Sequence, residues 1–116
     1  MSEIEEIERT QVLNSVRFDD RGLVPAIVQG SADNKVLMLG YMNLESLTRT
    51  LKTGKVTFWS RSRSELWTKG ETSGHFLTVR RIYLDCDRDA LLIIADPAGP
   101  TCHTGKKSCF SWKVSE

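Results

Sequence analysis

Three carboxylates and a thiol fall within the five consecutive positions 85–89, Asp85-Cys86-Asp87-Arg88-Asp89, a density of ligands that no ordinary core strand requires. Carboxylate oxygens are hard donors suited to magnesium, manganese or calcium, whereas a thiolate is a softer donor suited to zinc. One short segment therefore offers ligands for two kinds of metal. Its complement lies downstream, where Cys102 and Cys109 hold the only other thiols and His103 follows the first of them. Together the two segments read as a metal-dependent hydrolytic site.

Structural zinc sites close with four protein ligands, often in Cys-x-x-Cys pairs, while catalytic sites keep three and leave the fourth position for water. The chain has three cysteines and no Cys-x-x-Cys, which favours an open site; the rival is closure by His103 or His75. Adjacent side chains seldom converge on one ion, so His103 suits proton transfer better than ligation. Taken singly, Cys86 could equally be a buried thiol on an apolar strand. The plain alternative for the three aspartates is a solvated turn. Like charges held this close repel, however, and that is a physical reason to expect a cation. A calcium loop of the Asp-x-Asp-x-Asp type fits poorly. Ala90 stands where the bend needs glycine, Asp96 replaces the bidentate Glu, and residues 91–95 look like a buried strand.

The elements that position these ligands follow from periodicity. Residues 1–15 space Ile4, Ile7 and Val12 at helical intervals and predict a short, frayed, acidic helix. Residues 23–29 and 36–42 predict a hairpin, with Pro25 favouring a sheet edge or a bulge. Asn43 is placed to cap a helix whose Leu44, Leu47 and Leu51 share a face, and Gly54 to end it in a left-handed conformation. Residues 55–60 predict a third strand and residues 61–74 a long, ordered polar loop. From an extended backbone Arg61 and Arg63 would point the same way and, with Lys69, hold a phosphate; a solvated basic loop is the bland alternative. Residues 76–86 predict a strand with Phe76, Ile82, Leu84 and Cys86 on one side and Leu77, Val79, Tyr83 and Asp85 on the other. In a straight strand Asp85 and Asp89 would lie about 13 Å apart, so the turn at residues 87–90, before a strand at 91–95, must bring them together. Residues 110–114 read as a last short strand or tail.

At 116 residues the chain is expected to be a single domain, 1–116, of α+β class: mainly antiparallel sheet with one or two short helices. A net charge of +1 argues against a protein that coats nucleic acid or anionic membrane. No apolar run approaches membrane-spanning length, and the N-terminus is acidic where a signal peptide would be basic then apolar, which places the protein in the cytoplasm. There an odd number of cysteines suits metal binding or buried thiols better than disulfides.

The motifs Trp59-Ser-Arg-Ser-Arg63, Leu66-Trp-x-Lys-Gly-Glu-x-Ser-Gly74, Asp85-Cys-Asp-x-Asp89, Gly99-Pro-x-Cys-His-x-Gly105 and Ser108-Cys-Phe110 resemble the phosphoribosyl-AMP cyclohydrolases of histidine biosynthesis. The resemblance implies hydrolysis of the adenine ring of 1-(5-phosphoribosyl)-AMP between N1 and C6, the third step of that pathway. It implies one zinc per subunit, on Cys86, Cys102 and Cys109, and one magnesium on Asp85, Asp87 and Asp89. It also implies an intertwined homodimer that shares the zinc, Cys86 coming from one subunit and Cys102 and Cys109 from the other. His103, or else His75, would move protons, and magnesium would orient the substrate. Arg61, Arg63, Lys69, Lys106 and Lys107 are candidates for the phosphates, with Trp59 beside them. His75 stands where the family pattern leads one to expect Asn. Some relatives carry a fused pyrophosphohydrolase domain; here that activity is expected from another polypeptide. The alternative is a structural zinc module that binds RNA or a partner protein through Trp59, Trp67, Arg61 and Arg63.

Overall fold

The computed structural model describes residues 3–116. A 3-10 turn, Arg9–Gln11, runs into a single-turn helix α1, Val12–Ser15. Strands β1 (Val24–Gly30) and β2 (Val36–Met42) form an antiparallel hairpin. Helix α2 (Leu44–Thr53) follows, then a small hairpin of β3 (Thr57–Ser60) and β4 (Glu65–Thr68). A third hairpin pairs β5 (Leu77–Leu84) with β6 (Leu91–Pro97). Because β6 lies parallel to β1, the two larger hairpins fuse into one sheet of order β2-β1-β6-β5. The class is the α+β, mainly antiparallel architecture expected.

Helix α2 begins and ends where the sequence says it should. The Asn43 side chain accepts from the Ser46 backbone N–H at 2.8 Å while the Asn43 N–H donates to Ser46 Oγ at 2.8 Å, so two groups without intrahelical partners are satisfied reciprocally. Gly54 closes the helix at φ 76°, a conformation that is costly for other residues. Buried Thr50 then accepts from the Thr57 N–H at 2.9 Å, tying α2 to β3.

The core lies on one face of the sheet. Val24, Ala26 and Val28 point inward from β1 and meet Leu91, Ile93 and Ala95 of β6, with Leu47 and Phe58 closing over them. Phe58 presses so closely on β2 that a Cβ at Gly40 would meet its ring at 2.5 Å. Gly40→Ala is therefore expected to destabilise the fold by about 1–3 kcal/mol through overpacking. A urea midpoint that does not fall would contradict this close approach.

The opposite face is only half covered. The register lines up Leu39, Ile27, Leu92 and Tyr83 across all four strands. Leu39 is 44% exposed and the other three are half-buried.

Several local expectations need correction. The N-terminal helix is confined to residues 9–15; Ile4 and Ile7 are exposed, and residues 1 and 2 of the expected helix lie outside the described residues. Pro25 is in an interior strand, tolerated because β6 pairs with β1 only from Ala26 onward. The supposed long loop at residues 61–74 contains β4, since Glu65–Thr68 pairs with β3. In β5 a register shift between Val79 and Arg81 inverts the alternation. Leu77, Val79, Ile82 and Leu84 thereby all reach the core, instead of dividing between two faces. Residues 110–114 form no strand, and Phe110, Trp112 and Val114 are exposed.

Candidate active site

The β5–β6 turn brings Asp85 and Asp89 into contact, the pair the spacing argument concerned. The Asp85 backbone N–H donates to the Ala90 carbonyl at 3.1 Å, and Arg88, at φ 61°, makes the left-handed step that reverses the chain. Asp85 Oδ1 accepts from the Asp89 and Ala90 N–H groups at 2.9 and 3.2 Å. Desolvation works to raise the Asp85 pKa, but these donors and the Asp89 side chain outweigh it and hold the carboxyl below its ordinary value. Asp89 moves the other way, raised by its side-chain contact with Asp85, by desolvation, and by the charges of Asp85 and Asp87. That crowding is a repulsion a cation would relieve.

A neighbouring segment completes the surroundings. The Arg17 N–H donates to the Arg88 carbonyl at 2.7 Å, anchoring residues 17–19 beside the turn. Arg17, Phe18, Asp19, Leu23, Asp87 and Asp89 line an open hollow of about 470 Å³. Nothing in the sequence marked residues 17–19, because the link to the aspartate turn is made by backbone atoms.

The two downstream thiols are held by a separate, closely pinned loop. Thr101 and Cys102 donate their N–H groups to the Lys107 and Lys106 carbonyls at 3.2 and 3.0 Å. Ser108 Oγ and the Cys109 N–H donate to the Val36 and Leu37 carbonyls at 2.7 and 2.8 Å, docking the loop on the free edge of β2. Lys107 pairs with Asp33, so one phosphate candidate already has a carboxylate partner. The Cys102 and Cys109 thiols are near enough to influence each other's ionisation. The Thr104 hydroxyl, donating to Cys102 Sγ at 3.0 Å, is the main cause that pulls the Cys102 pKa down. Burial, then the Cys102 charge, push Cys109 up, and the Lys69 ammonium favours the thiolate at both. Thr104 and Lys69 are thus the neighbours that favour the thiolate at Cys102, the better soft ligand of the two.

Cys86 is exposed on the β5–β6 turn and does not join the pair within one chain. The strand order puts β5 and β2 at opposite edges of the sheet, three strand spacings or about 14 Å apart. Two sulfurs on one zinc lie within roughly 4.6 Å of each other. Among the described residues, no three His, Cys, Asp or Glu side chains gather where one ion could be held.

The cationic candidates disperse. The turn between β3 and β4, with Ser64 at φ 51°, replaces the extended backbone that would have aligned Arg61 with Arg63. Arg63 pairs with Glu65 at 3.2 Å, while the Arg61 guanidinium lies 3.9 Å over the Tyr41 ring. Lys69 sits 5.4 Å from the Trp67 ring centre, beside the thiols. Trp59 is half-buried in β3, and Lys106 is exposed. His103 is exposed on the thiol loop; His75 is half-buried, its ring so near Gly99 that a Cβ there would approach it to 2.8 Å.

Comparison with known proteins gives this arrangement its context. The chain is 60% identical to the phosphoribosyl-AMP cyclohydrolase of Micrococcus luteus over 97 residues, covering 84% of this chain and 77% of that one. It is 53% identical to the phosphoribosyl-AMP cyclohydrolase of Cereibacter sphaeroides over 102 residues, covering 88% and 86%. It is also 61% identical over 102 residues to the histidine biosynthesis bifunctional protein HisIE of Staphylococcus epidermidis, of which it spans 48%. The profile of one family, phosphoribosyl-AMP cyclohydrolase, matches residues 38–111, a stretch that runs from β2 through the aspartate turn to both loop thiols. With that match and relatives this similar over most of its length, the chain belongs to the phosphoribosyl-AMP cyclohydrolase family.

Proposed function

We propose that this chain hydrolyses the adenine ring of 1-(5-phosphoribosyl)-AMP between N1 and C6, giving the formimino-carboxamide ribonucleotide of histidine biosynthesis, and that it works as a homodimer in the cytoplasm. Family membership carries the reaction. The reading of the site as shared rests on the thiol pair, which offers two sulfurs where a three-sulfur centre needs a third. Cys86 of a second copy can supply that third donor. The half-covered apolar row from Leu39 to Tyr83 supplies a surface for such a copy to bury. All three cysteines are free, the state a reducing cytoplasm maintains.

The donor types suit the two metals, although among the described residues the three aspartates do not themselves converge on one point. Cys102, biased toward the thiolate by Thr104 and Lys69, and Cys109 are soft ligands, and with Cys86 they would hold zinc. Zinc, when bound there, supplies Lewis acidity that lowers the pKa of water to about 7. Asp85, Asp87 and Asp89 would hold magnesium, which supplies charge to orient a phosphorylated substrate.

In the reaction one water adds at C6, the C6–N1 bond breaks, and N1 takes up a proton; no oxidant or reductant is consumed. His103, next to Cys102 on an exposed loop, would accept the water's proton and return it at N1; its exposure and its neighbour Cys102 support this role. The hollow beside Asp87 and Asp89 receives the nucleotide, and the cations outside it, Arg61 and Lys69 ahead of Arg63 with its Glu65 partner, offer positive charge for its phosphates.

Purified protein supplied with phosphoribosyl-AMP is expected to give the ultraviolet change of ring opening, and a zinc chelator should reduce the rate at least a hundredfold. Metal-replete protein that is inert toward this substrate but retards RNA in a gel would overturn the proposal in favour of a zinc-stabilised binding module.

A further inference from the structure

A second open groove, of about 480 Å³, is lined by Arg21, Arg61 and Ser62. It presents two guanidinium groups and a hydroxyl. Among the described residues neither arginine lies within ion-pair distance of a carboxylate, whereas Arg63 is paired with Glu65 and Arg80 with Asp96. The Tyr41 ring beneath Arg61, at 3.9 Å, fixes the plane of that guanidinium and leaves its N–H edge free to donate. Arg21 is carried on a tight turn whose geometry is set by Asp19: Asp19 Oδ1 accepts from the Arg21 and Leu23 N–H groups at 2.8 and 2.9 Å. Two cations facing one groove repel each other, and an anion between them turns the repulsion into two attractions.

The location also matters. Asp19 lines the hollow that contains Asp87 and Asp89, and Arg21 lines the basic groove. Their Cα atoms, two residues apart, are separated by at most about 7 Å. The two concavities therefore flank a single turn, one rich in carboxylates and the other lined by two guanidinium groups and a hydroxyl. A ligand with two phosphate groups can present one to each side.

We propose that Arg21, Arg61 and Ser62 form a phosphomonoester subsite, which takes the phosphate of the substrate remote from the aspartates. A phosphate is favoured over a carboxylate because its three acceptor oxygens can satisfy both guanidinium forks and the Ser62 hydroxyl together. The identity of the ligand rests on the ring-opening function proposed above; the existence of the subsite does not.

The test compares wild type with Arg21→Gln. Arg21 is exposed, and the hydrogen bond it gives the turn comes from its backbone N–H, which Gln keeps; its side chain adds only a charge interaction with exposed Asp19, so the substitution leaves the fold intact. KM for phosphoribosyl-AMP and inhibition by ribose 5-phosphate are measured together, with ribose as the uncharged control. The expected result is a rise of about tenfold in both KM and the inhibition constant, with kcat changed less than twofold, ribose inert, and partial recovery in Arg21→Lys. Unchanged KM and inhibition overturn the subsite. If the wild type fails to open the ring, the proposed reaction falls separately, and calorimetric titration with ribose 5-phosphate decides the subsite. Binding that is about tenfold weaker in Arg21→Gln sustains it, whereas equal binding, or none to the wild type, overturns it.

Discussion

Cys86→Ala and Cys109→Ala, each inactive alone, are expected to regain about one quarter of wild-type activity when denatured together and refolded as an equal mixture. The number follows from the proposed sharing. If each centre takes Cys86 from one copy and Cys102 and Cys109 from the other, a mixed dimer has one centre with both defects and one with neither. Random pairing makes about half of the dimers mixed, and half of the centres in those are intact. The expectation is unusual in that two null variants restore each other, which general destabilisation cannot imitate. Solution mass checks that dimers form, and zinc content should rise with the recovered activity. Mixed dimers demonstrated by mass but devoid of activity would sink the shared centre. So would Cys86→Ala alone with normal turnover, since Cys102 and Cys109 would then need no third sulfur.

What the sequence revealed was chiefly what depends on neighbours along the chain. Asn43 and Gly54 bound α2 because capping is a contact between residues three or four apart, the first through its side chain and the second through a left-handed backbone. The aspartate turn was deduced from a length argument, and the Asp85 bonds to Asp89 and Ala90 are its consequence. Motif order was enough to recognise the family, because five motifs in the same order, three of them carrying the candidate metal ligands, rarely recur together by chance.

What depends on distant backbone was not legible. The parallel pairing of β1 with β6 joins residues more than sixty positions apart, and no local pattern records it. The extra residue at Arg80 inverts the strand faces, yet a binary pattern cannot show where a ladder slips. Glu65–Thr68 was absorbed into a supposed loop because the run is short and polar at its ends, although Leu66 and Trp67 stood opposite Trp59 and Phe58. Arg17 and Asp19 came to the aspartate hollow through a main-chain bond, which no side-chain motif can announce. The dispersal of Arg61, Arg63 and Lys69 has the same origin, since their separation is created by the hairpin that the loop turned out to be.

Replacing His103 with Asn is expected to lower turnover by about 10²–10⁴-fold, the usual contribution of a positioned acid–base group, with zinc content and solution mass unchanged. Asn keeps a hydrogen-bonding side chain of similar reach but cannot take up and release a proton, so the substitution separates proton transfer from simple contact. His103 is exposed and sits between the two ends of a loop already pinned by Thr101, Cys102, Ser108 and Cys109, so the fold does not depend on it. His75→Asn is the matched control. Its ring packs against Gly99 and is half-buried, and Asn is the residue the family pattern leads one to expect there, so turnover should change less than about tenfold. Added imidazole should restore part of the rate lost in His103→Asn and none in His75→Asn, because a free base can replace a missing proton carrier but not a packing contact. Near-normal turnover in His103→Asn, or a loss confined to His75→Asn, would move the proton transfer away from the thiol loop and onto the segment that joins β4 to β5.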